Sequence, residues 1–198
     1  MSDDLLPVFL KLEGRAVLVV GGGPVASSKI GALLAARARV TVVAPEIHDD
    51  IRQAGVTCHL RPFAPADLDD AWLVVAAAPP DVNREVARLA EARQIFVNAV
   101  DDPDNASVYL GGVVRRDGVT IAISTSGRAP AIAGLLREGI DALLPADLDR
   151  WVSQSDELRA EWRRTRLPMA ERRPQLLRAL TALYPDLIDD MLSARSAS

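Results

Sequence analysis

The chain has 198 residues, 49% of them hydrophobic and 25% charged, with a formal charge of −4. That length buries a core without disulfides, and that balance excludes wholesale disorder, a fibrous repeat and a coiled coil. The acidic balance gives no electrostatic reason to expect nucleic acid as a partner, and no apolar run reaches the roughly 18 residues that span a bilayer, so no membrane partner is expected.

The first ten residues carry Asp3 and Asp4 where a secretory signal would carry basic residues. Cys58 is the single cysteine, so no internal disulfide can form, which suits a reducing compartment; the expected location is cytoplasmic. Of the 23 basic residues only Lys11 and Lys29 are lysines. No lysine stands four residues after Tyr109 or Tyr184, which removes the tyrosine–lysine pair of short-chain dehydrogenases. A Gly-Lys-Ser/Thr phosphate loop is also absent, which removes nucleotide hydrolysis by that route.

From Arg15 to Val97, apolar β-rich runs alternate with helical patterns, the mark of βαβ units around a parallel sheet buried on both faces. The expected strands are Ala16–Val20, Val40–Val43, Val56–Leu60, Trp72–Ala77 and Ile95–Val97. The expected helices are Pro24–Ala36, Glu46–Gln53 and Asp81–Ala92, with Pro24 in a first turn where its missing N–H costs nothing. Beyond Val97 the pattern changes. Ser107–Arg115 and Val119–Ser124 read as an antiparallel ribbon joined through Arg116-Asp117-Gly118. Pro130 then opens a helix with Ile132, Leu135, Leu136, Ile140 and Leu143 at helical spacing, closed by Pro145. From Asp147 onward the pattern is all-helical, punctuated by Pro168, Pro174 and Pro185, and Ser193–Ser198 reads as a frayed end. The expected fold class is α/β: a Rossmann-like domain over 1–106, a small α+β dimerisation segment over 107–145 and a helical domain over 146–198.

The strand Ala16–Val20 runs directly into Gly21-Gly22-Gly23-Pro24-Val25-Ala26, a G-x-G-x-x-A turn ahead of a helix. In a dinucleotide-binding turn Gly21 makes the tight bend, Gly23 lets backbone approach a pyrophosphate, and Ala26 lets helix and strand pack closely. The phosphates then sit on the free N–H groups at the positive end of the helix. A tight strand-to-helix turn in a flavodoxin-like domain, or the similar turn of a methyltransferase using S-adenosylmethionine, reads from the same letters. At the second strand tip, Glu46 follows Pro45. It serves either as the acceptor for the ribose hydroxyls or as an acid in the first turn of the next helix. No arginine follows to welcome a 2′-phosphate, which favours NAD over NADP.

Asp101 stands just past the carboxyl end of a strand, where open α/β sheets place chemistry. A hydride transfer leaves a proton, and an aspartate there, its pKa raised by burial, can take it. Alternatively Asp101, Asp102 and Asp104 form a solvated acidic loop around Pro103. Cys58 and His59 are strand neighbours that point to opposite faces, and His48 leads into Asp49 and Asp50, so no fixed metal ligand is expected. Arg128 follows Gly127 at a glycine-containing helix entry, itself a candidate anion site.

An ordered set of segments resembles the precorrin-2 dehydrogenase family, the dehydrogenase/ferrochelatase part of siroheme synthase. It comprises Leu6-Pro7-Val8-Phe9-Leu10, the turn from Gly21 to Lys29, Ala76-Ala77-Ala78-Pro79, Phe96 to Asp101, Ser124 to Pro130 and Leu135-Leu136-Arg137, and it covers Leu6 to Arg173. The resemblance implies NAD-dependent oxidation of precorrin-2 to sirohydrochlorin and, in some members, insertion of ferrous iron. It also implies a homodimer. Carried onto this chain, it places Gly21, Gly23, Pro24, Val25, Pro45, Glu46 and Ala77 at the NAD cofactor and puts Asp101 in the place of the catalytic aspartate. Asn98, Ser107, Thr125, Gly127 and Arg128 fall on the side of the tetrapyrrole substrate, with Thr125 where some members carry serine.

Two departures follow. Many members read Phe-Ile-x-Pro after the catalytic loop, whereas this chain reads Val108-Tyr109-Leu110-Gly111-Gly112, which predicts a bulged or more flexible strand leaving the site. No methyltransferase sequence follows the helical part, so a stand-alone enzyme is expected. From Trp151 to Arg178 there are seven arginines against four acids. They form either a wall for substrate carboxylates or a solvated helical face. A functional reading from a different class is a non-catalytic NAD(H)-sensing module.

Overall fold

The structure, a computed structural model, describes residues 5–183. Asp3 and Asp4, Tyr184, Pro185 and Ser193–Ser198 lie outside the described residues. The chain forms two compact units, one made of the residues up to Gly111 together with Ser124–Ala133, the other of Gly112–Ile123 and the residues from Gly134.

In the first unit the order is β1 (Ala16–Val20), α1 (Pro24–Ala35), β2 (Arg39–Ala44), α2 (Asp49–Gln53), β3 (Thr57–Leu60), β4 (Leu73–Ala76), α3 (Pro80–Glu91) and β5 (Phe96–Ala99). The five strands make one parallel sheet in the order β3-β2-β1-β4-β5. This is the Rossmann-like α/β arrangement expected from the alternation of apolar runs and helical patterns. The two-residue period of a strand explains how one apolar run serves two layers. Val17 and Val19 point to the face covered by Ala26, Ile30 and Leu33 of α1. Leu18 and Val20 point to the face covered by Val86, Ala87 and Ala90 of α3. Each valine, leucine or isoleucine among them, fully buried, stabilises the fold by about 1.5–3 kcal/mol.

The local departures from expectation have tertiary causes. The helix expected over Glu46–Gln53 starts only at Asp49, because the His48 N–H is drawn under the glycine turn to the Gly22 carbonyl at 2.9 Å. The strand expected to end at Val97 runs on to Ala99, with Asn98 buried inside the sheet. Residues 107–111 are not a strand. The Ser107 and Val108 N–H groups both donate to the Val97 carbonyl, at 2.9 and 3.0 Å, and the ribbon begins at Gly112.

In the second unit β6 (Gly112–Arg116) and β7 (Val119–Ile123) pair antiparallel across Asp117-Gly118. Both turn residues have positive φ, 47° and 82°, the backbone that a two-residue hairpin of matching twist requires. Helix α4 (Pro130–Leu143) begins in the first unit and ends in the second, followed by α5 (Leu148–Thr165) and α6 (Met169–Leu183). Arg116 clamps the ribbon to the end of α4 by donating to the Leu144 carbonyl and to Asp141 Oδ1, both at 2.8 Å. Buried Trp162 donates its indole N–H to Gln175 Oε1 at 2.7 Å and ties α5 to α6. Pro174, expected as punctuation, lies inside α6, which forgoes one N–H there and continues. Among the described residues no helix is long and apolar enough to cross a membrane.

One ion pair sets a pH response. Arg61 donates to both carboxylate oxygens of Asp67, at 2.8 Å on Oδ2, and Oδ2 also accepts the Ala64 N–H at 2.8 Å. The Arg61 hydrogen bonds hold the Asp67 carboxyl below its ordinary value. Partial burial opposes them, and the Ala64 N–H and the charges of Arg61 and His59 add to the lowering. A carboxyl lowered in the folded state contributes stability that is complete above its unfolded value of about 3.9 and is lost as pH falls through the folded value. Urea unfolding of wild type and Asp67→Asn therefore shows a stability gap at pH 7 that narrows below about pH 4. A gap of constant size down to pH 2 would contradict the ion-pair assignment.

Candidate active site at the carboxyl edge of the sheet

The carboxyl ends of the four strands β2, β1, β4 and β5 are held level by backbone bonds that continue the ladders past the last strand residues. The Gly21 N–H donates to the Val43 carbonyl at 3.0 Å, the Ala77 N–H to Val20 at 2.8 Å, and the Val100 N–H to Ala76 at 2.9 Å. The glycine turn after β1 is wedged between the exits of its two neighbours. A Cβ on Gly21, whose φ is +126°, would stand 2.1 Å from the Ala77 carbonyl oxygen, and one on Gly22 would stand 2.0 Å from the Glu46 carbonyl oxygen. Neither position admits a side chain. Gly23 differs: its backbone is extended, at φ −88° and ψ −173°, and a Cβ there would meet nothing within 4 Å. Neighbouring atoms therefore do not require glycine at 23, and the space beside it is open.

The amino end of α1 opens at the same place. Gly23 is its N-cap and Pro24 its first residue; no side chain caps it, and its first turn holds no acid. The helical ladder opens with the bond from the Ser27 N–H to the Gly23 carbonyl at 3.0 Å. The N–H groups ahead of Ser27 and the positive end of the helix dipole together make an anion-binding cradle. Val25 is 44% exposed at its mouth, whereas Ala26 is fully buried against the core, the close packing expected of it. Pro45 and Glu46 are both exposed past β2. Since α2 starts at Asp49, Glu46 is not an acid of its first turn.

Across the turn, Ala77 leads β4 into Ala78, whose N–H donates to the side-chain oxygen of buried Asn83 at 2.9 Å. Asp101 follows β5 with φ +57°, a left-handed backbone that aspartate tolerates. It is exposed, so the burial expected to tune its carboxyl is absent. Within the acidic loop Asp102 closes a turn, its Oδ2 accepting the Asn105 side-chain N–H at 2.8 Å over the short helix Pro103–Asn105.

Further candidate residues converge on that loop from the Ser124–Ala129 turn. Thr125 organises the turn: its carbonyl accepts the Arg128 N–H at 3.0 Å and its hydroxyl accepts the Ala129 N–H at 3.2 Å. A Cβ on Gly127, at φ +74°, would stand 3.1 Å from Pro103 Cγ and 3.3 Å from Tyr109 Cε1. The Tyr109 hydroxyl in turn donates to the Pro103 carbonyl at 3.1 Å. Thr125, Gly127 and exposed Arg128 are thereby brought beside the Asp101–Pro103 loop.

Asn98 and Ser107 are engaged in fixing the chain: Asn98 donates to the Val108 carbonyl at 3.0 Å, and the Ser107 hydroxyl accepts the Val97 N–H at 2.8 Å. Cys58 packs against the core while His59 is exposed, and among the described residues no three His, Cys, Asp or Glu side chains converge to hold a metal. The arginines of α5 and α6 belong to the second unit.

Two site residues escaped the sequence reading. Gly22 is needed for its contact with the second strand exit. Asn83 had a signal: it occupies the apolar stripe of α3 with Val86, Ala87 and Ala90, at offsets of three, four and seven residues.

Comparison with known proteins places these features in context. Residues 8–112 match the family model described as "Putative NAD(P)-binding". The siroheme synthase of Tolumonas auensis is 43% identical over 159 residues, which is 79% of this chain and 34% of that protein. Siroheme synthase 2 of Aeromonas hydrophila is 42% identical over 173 residues, 86% of this chain and 37% of that one. The chain thus spans about a third of the length of the curated relatives it matches. Among solved structures, SirC, precorrin-2 dehydrogenase, shares the fold with a TM-score of 0.66 and 21% identity, over 98% of this chain and 100% of that chain.

Gly22 and Gly23 separate by experiment. Gly22→Ala forces backbone apart and lowers stability by about 1–3 kcal/mol, whereas Gly23→Ala leaves thermal stability at the wild-type level. Equal melting temperatures for the two variants would contradict the packing described.

Proposed function

The chain belongs to the NAD(P)-binding family whose model its residues 8–112 match, and from that premise we propose that it is an NAD-dependent dehydrogenase that oxidises precorrin-2 to sirohydrochlorin. The observation that carries this reading is the glycine turn. Gly21 and Gly22 are demanded by neighbouring backbone, but Gly23 opens onto an uncapped helix terminus with room to spare. That is how a dinucleotide pyrophosphate is accommodated. The relatives named siroheme synthase support the substrate class.

The residues divide the work. The amides at Val25 and Ala26 bind the pyrophosphate over Gly23, and Gly21 and Pro24 hold the turn in shape. Glu46, presented by Pro45, accepts the ribose hydroxyls, and the tip carries no cation for a 2′-phosphate, so NAD is the cofactor. Ala77 forms the opposite wall. When bound, NAD supplies the hydride acceptor. The overall change is precorrin-2 and NAD⁺ to sirohydrochlorin, NADH and one proton, and Asp101 accepts that proton at the β5 exit. Arg128 and the Thr125 turn face the substrate carboxylates, Gly127 keeps that turn close to Pro103, and Asn98 and Ser107 hold the neighbouring segment on β5. The lone cysteine supports a reducing, cytoplasmic location.

We also propose a homodimer. Ile132, Leu135, Leu136 and Leu143 of α4 are 54%, 69%, 47% and 81% exposed, an apolar face suited to a second copy of the chain. Light scattering at micromolar concentration reads a dimer in wild type and a monomer in Leu135→Asp; a monomeric wild type contradicts the proposal.

Activity is tested anaerobically by absorbance with precorrin-2 and NAD. Wild type forms NADH. Asp101→Asn binds NAD as wild type does and turns over about 10²- to 10⁴-fold more slowly, and Gly23→Asp, which sets a carboxylate against the pyrophosphate, binds no NAD by calorimetry. Ferrous iron added afterwards, as a substrate, reads metal insertion as a spectral change above the rate without enzyme. A wild type that binds NAD but never reduces it would replace the enzyme with the sensing module.

A further inference from the structure

We propose that Asn83 is a positioning residue for the dinucleotide, setting through its side-chain oxygen the height of the β4 exit against the glycine turn. Asn83 and Asn98 are the two buried polar side chains among the described residues, and Asn83 is only 4% exposed. It lies in the stripe of α3 that otherwise buries Val86, Ala87 and Ala90. An amide buried in such a stripe costs free energy unless hydrogen-bonded, so what its oxygen does identifies its role. That oxygen accepts the Ala78 N–H at 2.9 Å. Ala78 offers the last N–H before Pro79 and Pro80, which have none to give. The bond is therefore the hold that α3 has on the end of the β4 exit through a backbone donor.

The consequence for the site follows from how closely that exit packs. The Ala77 carbonyl oxygen stands 2.1 Å from where a Gly21 side chain would begin. Any shift of Ala77–Ala78 is thereby passed to the glycine turn and to the cradle at the start of α1. Without that acceptor the half-buried Ala78 N–H turns toward water for a partner and carries Ala77 with it. This inference rests on the NAD-binding reading above.

The test measures NAD affinity by calorimetry, melting temperature without NAD, and the KM and kcat for NAD, in wild type, Asn83→Leu, Asn83→Ala and Asn83→Asp. Leucine keeps the volume and removes the acceptor, alanine removes both, and aspartate keeps an acceptor oxygen. The expected result is a Kd and KM for NAD raised about tenfold in Asn83→Leu and Asn83→Ala, kcat retained, and affinity near wild type in Asn83→Asp. If Asn83→Leu fails to fold, Asn83→Ala carries the comparison. Wild-type affinity in the folded leucine and alanine variants, with only the melting temperature lowered, would overturn the positioning role, as would an aspartate variant as weak as leucine. A wild-type chain that binds no NAD would overturn the cofactor reading itself, a separate outcome.

Discussion

The site depends on one contact: backbone pressed against backbone where the first strand turns into the first helix. Gly21 and Gly22 let the β1 exit nest between the Ala77 and Glu46 carbonyls at distances that no Cβ survives. Backbone bonds running Val43–Gly21, Val20–Ala77 and Ala76–Val100 lock the neighbouring exits to the same level. Everything that gives the edge chemistry hangs from that lattice. The helix terminus is aimed by it, Glu46 is carried at one end of it, and Asp101 stands just past the other.

The polar side chains around the edge serve two distinct purposes. Asn83, Asn98, Ser107 and Thr125 spend their hydrogen bonds on chain segments, and so fix loops that have little other secondary structure. Asp101, Glu46 and Arg128 are exposed at the edge and carry the formal charges. A buried, satisfied polar group rigidifies its surroundings, whereas the exposed charged ones face solvent at the edge.

Much of the architecture was legible because its signals are local and redundant. Continuous runs rich in β-branched residues, such as Val17–Val20 and Leu73–Ala76, set between helical patterns, read as strands buried on both faces, and Asp117-Gly118 dictates its hairpin. What misled was long-range. The stretch from Glu46 has helical spacing, but the bond from His48 to Gly22 holds its first residues out of the helix. Val108 and Leu110 alternate as a strand does, yet they pack against the core from a segment tied to Val97 by its N–H groups and by the Ser107 hydroxyl. At the site, the glycine pattern marked the strand-to-helix turn but could not say that Gly22 is as constrained as Gly21, because the Glu46 carbonyl comes from the segment after β2. The exposure of Asp101 was equally hidden, since burial is a property of the folded loop rather than of the residues flanking it.

The central claim is that a dinucleotide lies across the glycine turn with its phosphates on the amino end of α1. A titration of ¹⁵N-labelled protein with NAD, followed through the amide resonances of Gly22, Gly23, Val25 and Ala26, tests it most directly. The account predicts saturable shifts that are largest at these amides and at Ala77, and small at the amino ends of the strands near Ala16 and Thr57. Shifts absent from the turn, or concentrated at the opposite edge of the sheet, would contradict it.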